Sequence, residues 1–211
     1  MVALVDLGFS KDAVYEIIVC TYNQDGTSNA APMGVVMQDF QHVLLTIYNS
    51  ATTLKNLQIH RLATLNLTGD IDIFFQTALK DISLPMDWFK KSDKIGAPQL
   101  KQADATIDVT VQDFVPLDNQ RTIVISKVQQ ITALTCYPQS YCRAKFAVLE
   151  AIIHATRVKA FINIEKEQAY VAKLVDLIQN CAEVVNRSAP HSHYAKLMID
   201  LQKKIDTWGK R

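Results

Sequence analysis

Charge of either sign is almost balanced in this 211-residue chain, with Lys plus Arg at 22 against Asp plus Glu at 21. The chain therefore lacks the long-range field that gathers phosphate backbones or an anionic membrane, which disfavours nucleic acid as a partner. No run of roughly 18 apolar residues occurs. Met1 to Ser10 carries neither a basic leader region nor a cleavage-site pattern. A cytoplasmic protein without membrane contact is expected. Glycine is scarce, 6 in all, and stands in neither GxGxxG nor P-loop spacing, which removes the dinucleotide and triphosphate readings. The four cysteines, Cys20, Cys136, Cys142 and Cys181, lie too far apart for a zinc CxxC pair and are too few for a disulfide framework. They read as reduced thiols and small apolar fillers, with Cys136 and Cys142 at the spacing of a loop redox pair as the alternative. His42, His60, His154, His191 and His193 form no nucleophile–base motif, so hydrolase chemistry has no support. His191-Ser192-His193 has no third ligand nearby, and it reads as a solvated cap rather than a metal site.

What is present is a globular composition, 49% hydrophobic and 20% charged. VYEIIVCTY (14–22) is β-branched and aromatic, and it runs into an Asn23-to-Thr27 turn whose Asp25-Gly26 supplies positive φ, which predicts a hairpin. The return strand, about Asn29 to Met37, contains Pro32 and Gly34, which suit an edge, a bulge or close approach to a ligand. HVLLTIY (42–48) predicts a buried strand. Ser50 and Thr52 then offer capping hydroxyls to a short helix through Leu54 and Leu57. A strand over 60–67, a helical turn or two over 72–79, an excursion without regular structure over 80–105, and strands over 105–114 and 121–133 follow. Beyond Pro138 three amphipathic helices are expected: 144–161; a second carrying Val171, Leu174, Ile178 and Val185; and a third carrying Leu197, Leu201 and Trp208. Ser188-Ala189-Pro190 breaks the second from the third. The fold class is α+β, a β domain at 1–138 and a helical region at 139–211 that packs on it.

Candidate chemistry concentrates in Asn29 to Val35, TIYNS (46–50) and Ala51 to Leu57. A strand of small residues lets a flat ring lie against backbone amides, and hydroxyls at a helix start, with Lys55 nearby, suit a phosphate. Taken as residues alone, Ser50 and Thr52 equally cap a helix while Lys55 and Asn56 face water. The order of these pieces resembles the FMN-binding split-barrel superfamily of flavin reductases and pyridoxamine-phosphate-oxidase-like proteins. Its T-x-x-N phosphate segment is matched here by Thr53-Leu54-Lys55-Asn56. TYNQDGTSNAAPMGV (21–35), joined to RAKFAVLEAIIHATR (143–157), resembles more closely an uncharacterised family of split-barrel flavoproteins found in methane-producing archaea and some bacteria, although Cys142 stands where Asn is expected.

The resemblance implies an antiparallel split β-barrel with FMN at the seam of a homodimer. Met33, Gly34 and Val35 would line the ring, and Thr46, Ser50, Thr52, Thr53 and Asn56 would hold the ribityl phosphate. It implies an FMN-dependent oxidoreductase or flavin carrier served by a nicotinamide or deazaflavin donor. The alternative is a non-catalytic ligand-binding or scaffold protein on the same fold. On the tail, Arg143, Glu150, His154 and Arg157 share a helical stripe, read as an ion pair of Glu150 with Arg143 or Arg157 in preference to ligand contact. Asp70 and Asp72 are expected to serve as turn and cap residues.

Overall fold

The computed structural model describes residues 2–9, 11, 14–80, 84–133 and 143–208. Cys136, Cys142 and the boundary at Pro138 lie outside them. The elements in chain order are β1 (Val14–Tyr22), β2 (Ser28–Met37), β3 (His42–Tyr48), α1 (Thr52–His60), β4 (Leu62–Leu67), α2 (Ile71–Ala78), β5 (Phe89–Lys91), β6 (Pro98–Leu100), β7 (Ala105–Pro116), β8 (Arg121–Ala133), α3 (Arg143–Phe161), α4 (Gln168–Ser188) and α5 (His193–Trp208). The chain divides into two compact units, Met1–Asp70 with Lys80–Tyr137, and Ile71–Leu79 with Pro138–Arg211.

In the first unit six antiparallel strands close a barrel in the order β1-β2-β3-β8-β7-β4. Alternation along each strand sends one face inward. Ile17 and Val19, Val35 and Met37, Val43, Leu45 and Ile47, Ala63 and Leu65, Ile107 and Val109, and Val124 meet in one core, which Leu4, Phe9, Leu54 and Leu57 complete. Pro32 and Gly34 do not interrupt the β1–β2 ladder, which runs without a register shift, Pro32 opposite Ile18 and Gly34 opposite Glu16. Gly34 is not among the glycines of positive φ, so the bulge alternative fails. The edge alternative holds, because the β2–β3 ladder spans only Val35 to Met37. Among the described residues Ser28 to Gly34 thus have one strand neighbour, where a missing N–H costs least.

The excursion after residue 80 is more regular than expected. It carries a 3-10 turn at Met86–Trp88 and the β5–β6 hairpin. Three-residue strands are too short to register as a period-2 pattern. This hairpin lies against β1 and β4, with Thr64 Oγ1 donating to Pro98 O at 2.6 Å and Leu100 N donating to Asn66 Oδ1 at 3.0 Å. Asn66 Nδ2 in turn donates to Ile18 O at 3.1 Å. Cys20, on the same covered face, is fully buried and free, and burial pushes its thiol up to about 12. It is a neutral filler, as expected for this cysteine. β4 starts at Leu62 rather than at residue 60, because His60 belongs to the last turn of α1 and Arg61 closes that helix at φ 54°.

In the second unit α3 packs on α2, α4 and α5. Ala144, Ala147, Ala151 and Ala155 of α3 are buried, as are Leu174 and Ile178 of α4 and Leu201 and Ile205 of α5. α4 ends at Ser188, ahead of Pro190, as the sequence indicated. No described helix is long and apolar enough to cross a membrane.

One carboxylate is stationed where charge is costly. Asp108, 5% exposed on β7, accepts from Ser92 Oγ at 2.6 Å through Oδ2, while its Oδ1 has no partner among the described residues. Burial, aided by Asp93 and opposed by the Ser92 bond, raises its pKa. The folded state then holds this proton more tightly than the unfolded chain does, so stability falls as pH rises from the ordinary carboxylate range through the raised value. Urea midpoints measured from acidic to neutral pH should therefore decline more in the wild type than in Asp108→Asn. Parallel curves would remove this assignment.

Candidate active site at the opening of the barrel

Where β2 and β3 part, the barrel is open between Ser28–Gly34 on one side and Thr46–Tyr48 on the other. The latter stretch pairs with β8. α1 touches β1, β2 and β3 here, and its Leu54 and Leu57 enter the core. The helix begins from Ala51 in extended conformation, with no side-chain cap and no acidic residue in its first turn. This corrects the expected hydroxyl cap: Ser50 and Thr52 are exposed and free of that duty. Ala51 N already donates to Tyr48 O and Leu54 N to Ala51 O, so this helix start leaves the amides of Thr52 and Thr53 and the positive end of the helix dipole for an anion.

The T-x-x-N residues face inward. Thr53 and Asn56 are 2% and 4% exposed. Asn56 Nδ2 donates to Thr21 Oγ1 at 3.0 Å and to Asn23 Oδ1 at 2.9 Å. Asn29 Nδ2 donates to Thr53 Oγ1 and to Thr21 Oγ1, each at 3.2 Å. The pair thus ties the first turns of α1 to the β1–β2 hairpin, and Asn56 does not face water. Asn29 Oδ1 accepts from Lys80 Nζ at 2.8 Å. Lys80 is exposed as a whole, yet its ammonium end turns inward, and burial lowers its pKa against the opposing influence of Cys20. Because the Cys20 thiol is neutral, it offers Lys80 no counter-charge at neutral pH.

The remaining predicted residues distribute around the same opening. Met33 packs partly against the core and Val35 is fully buried within it. Gly34 sits on the outer face, where an added Cβ would stand 2.7 Å from Val14 Cγ1 and 3.6 Å from Glu16 Oε1. Thr46 is exposed on β3. Sequence reasoning missed Lys80, Asn29 and Thr21 as individual site residues. Thr21 and Asn29 stand opposite each other in the β1–β2 ladder, which hairpin register could have shown, whereas nothing in the spacing of Lys80 ties it to α1.

Residues 15–138 match the family described as protein of unknown function (DUF447), N-terminal domain. The chain belongs to this family. An FMN-bound DUF447 protein from Methanosarcina mazei superposes with a TM-score of 0.78 at 21% identity, over 95% of this chain and 98% of that one. Nitrilotriacetate monooxygenase component B from Bacillus cereus gives 0.51 at 15% identity, over 68% and 81% of the two chains. A protein with a split barrel domain from Shewanella frigidimarina gives 0.51 at 15%, over 60% and 70%. These likenesses establish the split-barrel fold.

Within the helical unit of this DUF447 chain, Arg143, Glu150 and Arg157 are exposed on α3 and His154 is half-buried. Neither of the ion pairs expected for Glu150 forms among the described residues, whose salt bridges lie elsewhere. Burial chiefly lowers the pKa of His154, with Glu150 opposing, and its Nδ1 has no partner among the described residues. His193 opens α5, and its Nε2 meets both carboxylate oxygens of Asp72, the second residue of α2, at 2.7 and 2.9 Å. No group of three or more metal-ligating residues occurs among the described residues.

The inward bonds of Asn56 make it a structural member of the site. Asn56→Ala should lower unfolding stability by about 1 to 3 kcal/mol, the range for leaving buried hydrogen-bonding partners unmet. Denaturant unfolding of the flavin-free protein measures it, and an unchanged midpoint would show that the helix is held by Leu54 and Leu57 alone.

Proposed function

We propose that this chain binds FMN at the opening of its barrel, as a homodimer, and acts as a flavin-dependent oxidoreductase. The observation that carries the reading is the uncapped start of α1 beside the single-neighbour half of β2, in a fold shared with an FMN-bound member of its family. The residues fit the two ends of that ligand. The first-turn amides of α1 and the exposed hydroxyls of Ser50 and Thr52 suit a phosphate ester, and Thr46 lies on the neighbouring strand. Thr53 and Asn56 serve the phosphate by fixing the helix from beneath. Along β2 the Met33 side chain and the backbone of Gly34 and Val35 suit a flat ring. Val35 is buried and so contributes backbone alone.

When bound, the flavin supplies the hydride and electron chemistry, so the protein needs no side-chain nucleophile. Its own residues bind, orient and exclude water. A nicotinamide or a deazaflavin is the class of donor that suits such a site. For the partner, Val14, Val36, Leu44 and Ile125 stand in register as an apolar row on the outer face of β1, β2, β3 and β8. Val14 is 64% exposed and the other three are half-buried, which suits burial by a second copy over about 2,000 Å².

The purified protein, reconstituted with FMN, should absorb near ~450 nm as flavoproteins do and should bleach when a reduced nicotinamide or deazaflavin is added. A colourless protein that takes up no FMN would favour the scaffold alternative. Light scattering at micromolar concentration should give the dimer mass, and a monomer would contradict the assembly. Gly34→Val should abolish FMN uptake while the flavin-free protein still melts cooperatively, at a lowered temperature because Val14 must shift to admit the new Cβ. Normal uptake in that variant would take β2 out of the site.

A further inference from the structure

Around Asn29 the hydrogen-bond inventory is unbalanced. Thr53 Oγ1 already accepts from Asn29 Nδ2, so its own hydroxyl hydrogen is left to find an acceptor, and none is provided among the described residues. Lys80 gives one of its three N–H groups to Asn29 Oδ1, and no described carboxylate lies within ion-pair distance of it. Beside these donors stands the start of α1, which has neither a side-chain cap nor an acidic residue. A cluster with spare donors, a cation without a counter-ion among the described residues and a positive helix end suits one further component, an acceptor-rich anion.

We propose that Lys80, positioned by Asn29, is the residue that neutralises a phosphate monoester at the start of α1 and makes the site select phosphorylated over unphosphorylated flavin. The inference rests on the flavin reading above for its ligand, but the anion site stands on the side-chain inventory alone. The Asn29 carboxamide connects the two halves of the device. Its oxygen draws the ammonium inward, while its nitrogen orients Thr53 on the helix. The lowered pKa of Lys80 agrees, since a charge held partly out of water gains more from a bound dianion than a fully hydrated one does. Without Lys80 the helix dipole and the neutral hydroxyls would still hold a flavin, but with little preference for the phosphate.

Fluorescence titration of the flavin-free protein with FMN and with riboflavin, which differ in the phosphate alone, reads this selectivity. Wild type should prefer FMN, and Lys80→Met should lose roughly ten- to a hundred-fold in FMN affinity, the loss expected of one charge-assisted bond, with riboflavin affinity unchanged. Lys80→Arg should retain most of the preference. In parallel, inorganic phosphate should raise the melting temperature of wild type and not of Lys80→Met. Equal loss of both flavins, or wild-type affinity for FMN no greater than for riboflavin, would overturn the role of Lys80 while leaving flavin binding in place. Stabilisation of wild type alone by phosphate, with neither flavin bound, would uphold the anion site and overturn the flavin reading. Equal stabilisation of both proteins by phosphate would overturn the inference.

Discussion

The parting of β2 from β3 beyond their ladder at Val35 to Met37 is the constraint on which the candidate site depends. A barrel that stayed paired along β2 would satisfy the backbone of Ser28 to Gly34 and leave no room for α1 to approach. Because the strands part, the chain fills the gap with a short helix whose Leu54 and Leu57 complete the core. Nine residues are too few to hold a helix by propensity alone. Its position is set instead by those two leucines and by the buried contacts of Thr53 and Asn56 with the β1–β2 hairpin. The same arrangement brings an unsatisfied helix start to an open strand edge, so the site is a consequence of how the barrel is left incomplete.

Polarity is handled differently on the two sides of β1. Beneath the β5–β6 hairpin, Asn66 links β1, β4 and β6, and the neutral Cys20 thiol fits among these groups. Every bond there serves the fold. Around Asn29 the buried amides and hydroxyls are also bonded, but the set has donors to spare and Lys80 has no acid within ion-pair distance among the described residues. That asymmetry between two buried polar clusters separates structural polarity from polarity suited to a ligand.

Most of the barrel was legible in the sequence. VYEIIVCTY and HVLLTIY carry strand composition over enough residues to be read, and Asp25-Gly26 fixes the hairpin between β1 and β2. The three long helices were legible from apolar spacing over many turns. The β5–β6 hairpin was not, because three-residue strands carry no measurable period. Pro32 and Gly34 suit an edge, a bulge or close approach to a ligand equally well as residues, and only the ladder removes the bulge. At the site, the positions of Ser50, Thr52, Thr53 and Asn56 around one helix start were legible, but the direction each side chain takes was not. Ala51 begins the helix without a cap although hydroxyls flank it, and Thr53 and Asn56 turn inward because a one-residue change of phase on α1 exchanges solvent for core. Lys80 was beyond reach, since its contact with Asn29 joins residues far apart in the chain.

Hydrogen exchange of backbone amides, read residue by residue with and without FMN, tests most directly whether the opening between β2 and β3 is where the ligand sits. Protection on adding FMN should concentrate at the amides of Thr52 and Thr53 and of Ala31, Met33 and Gly34, with little change along β7. Protection confined to the cavity of about 400 Å³ lined by Leu7, Phe9, Tyr15 and Ala105, or no protection at either place, would contradict the account.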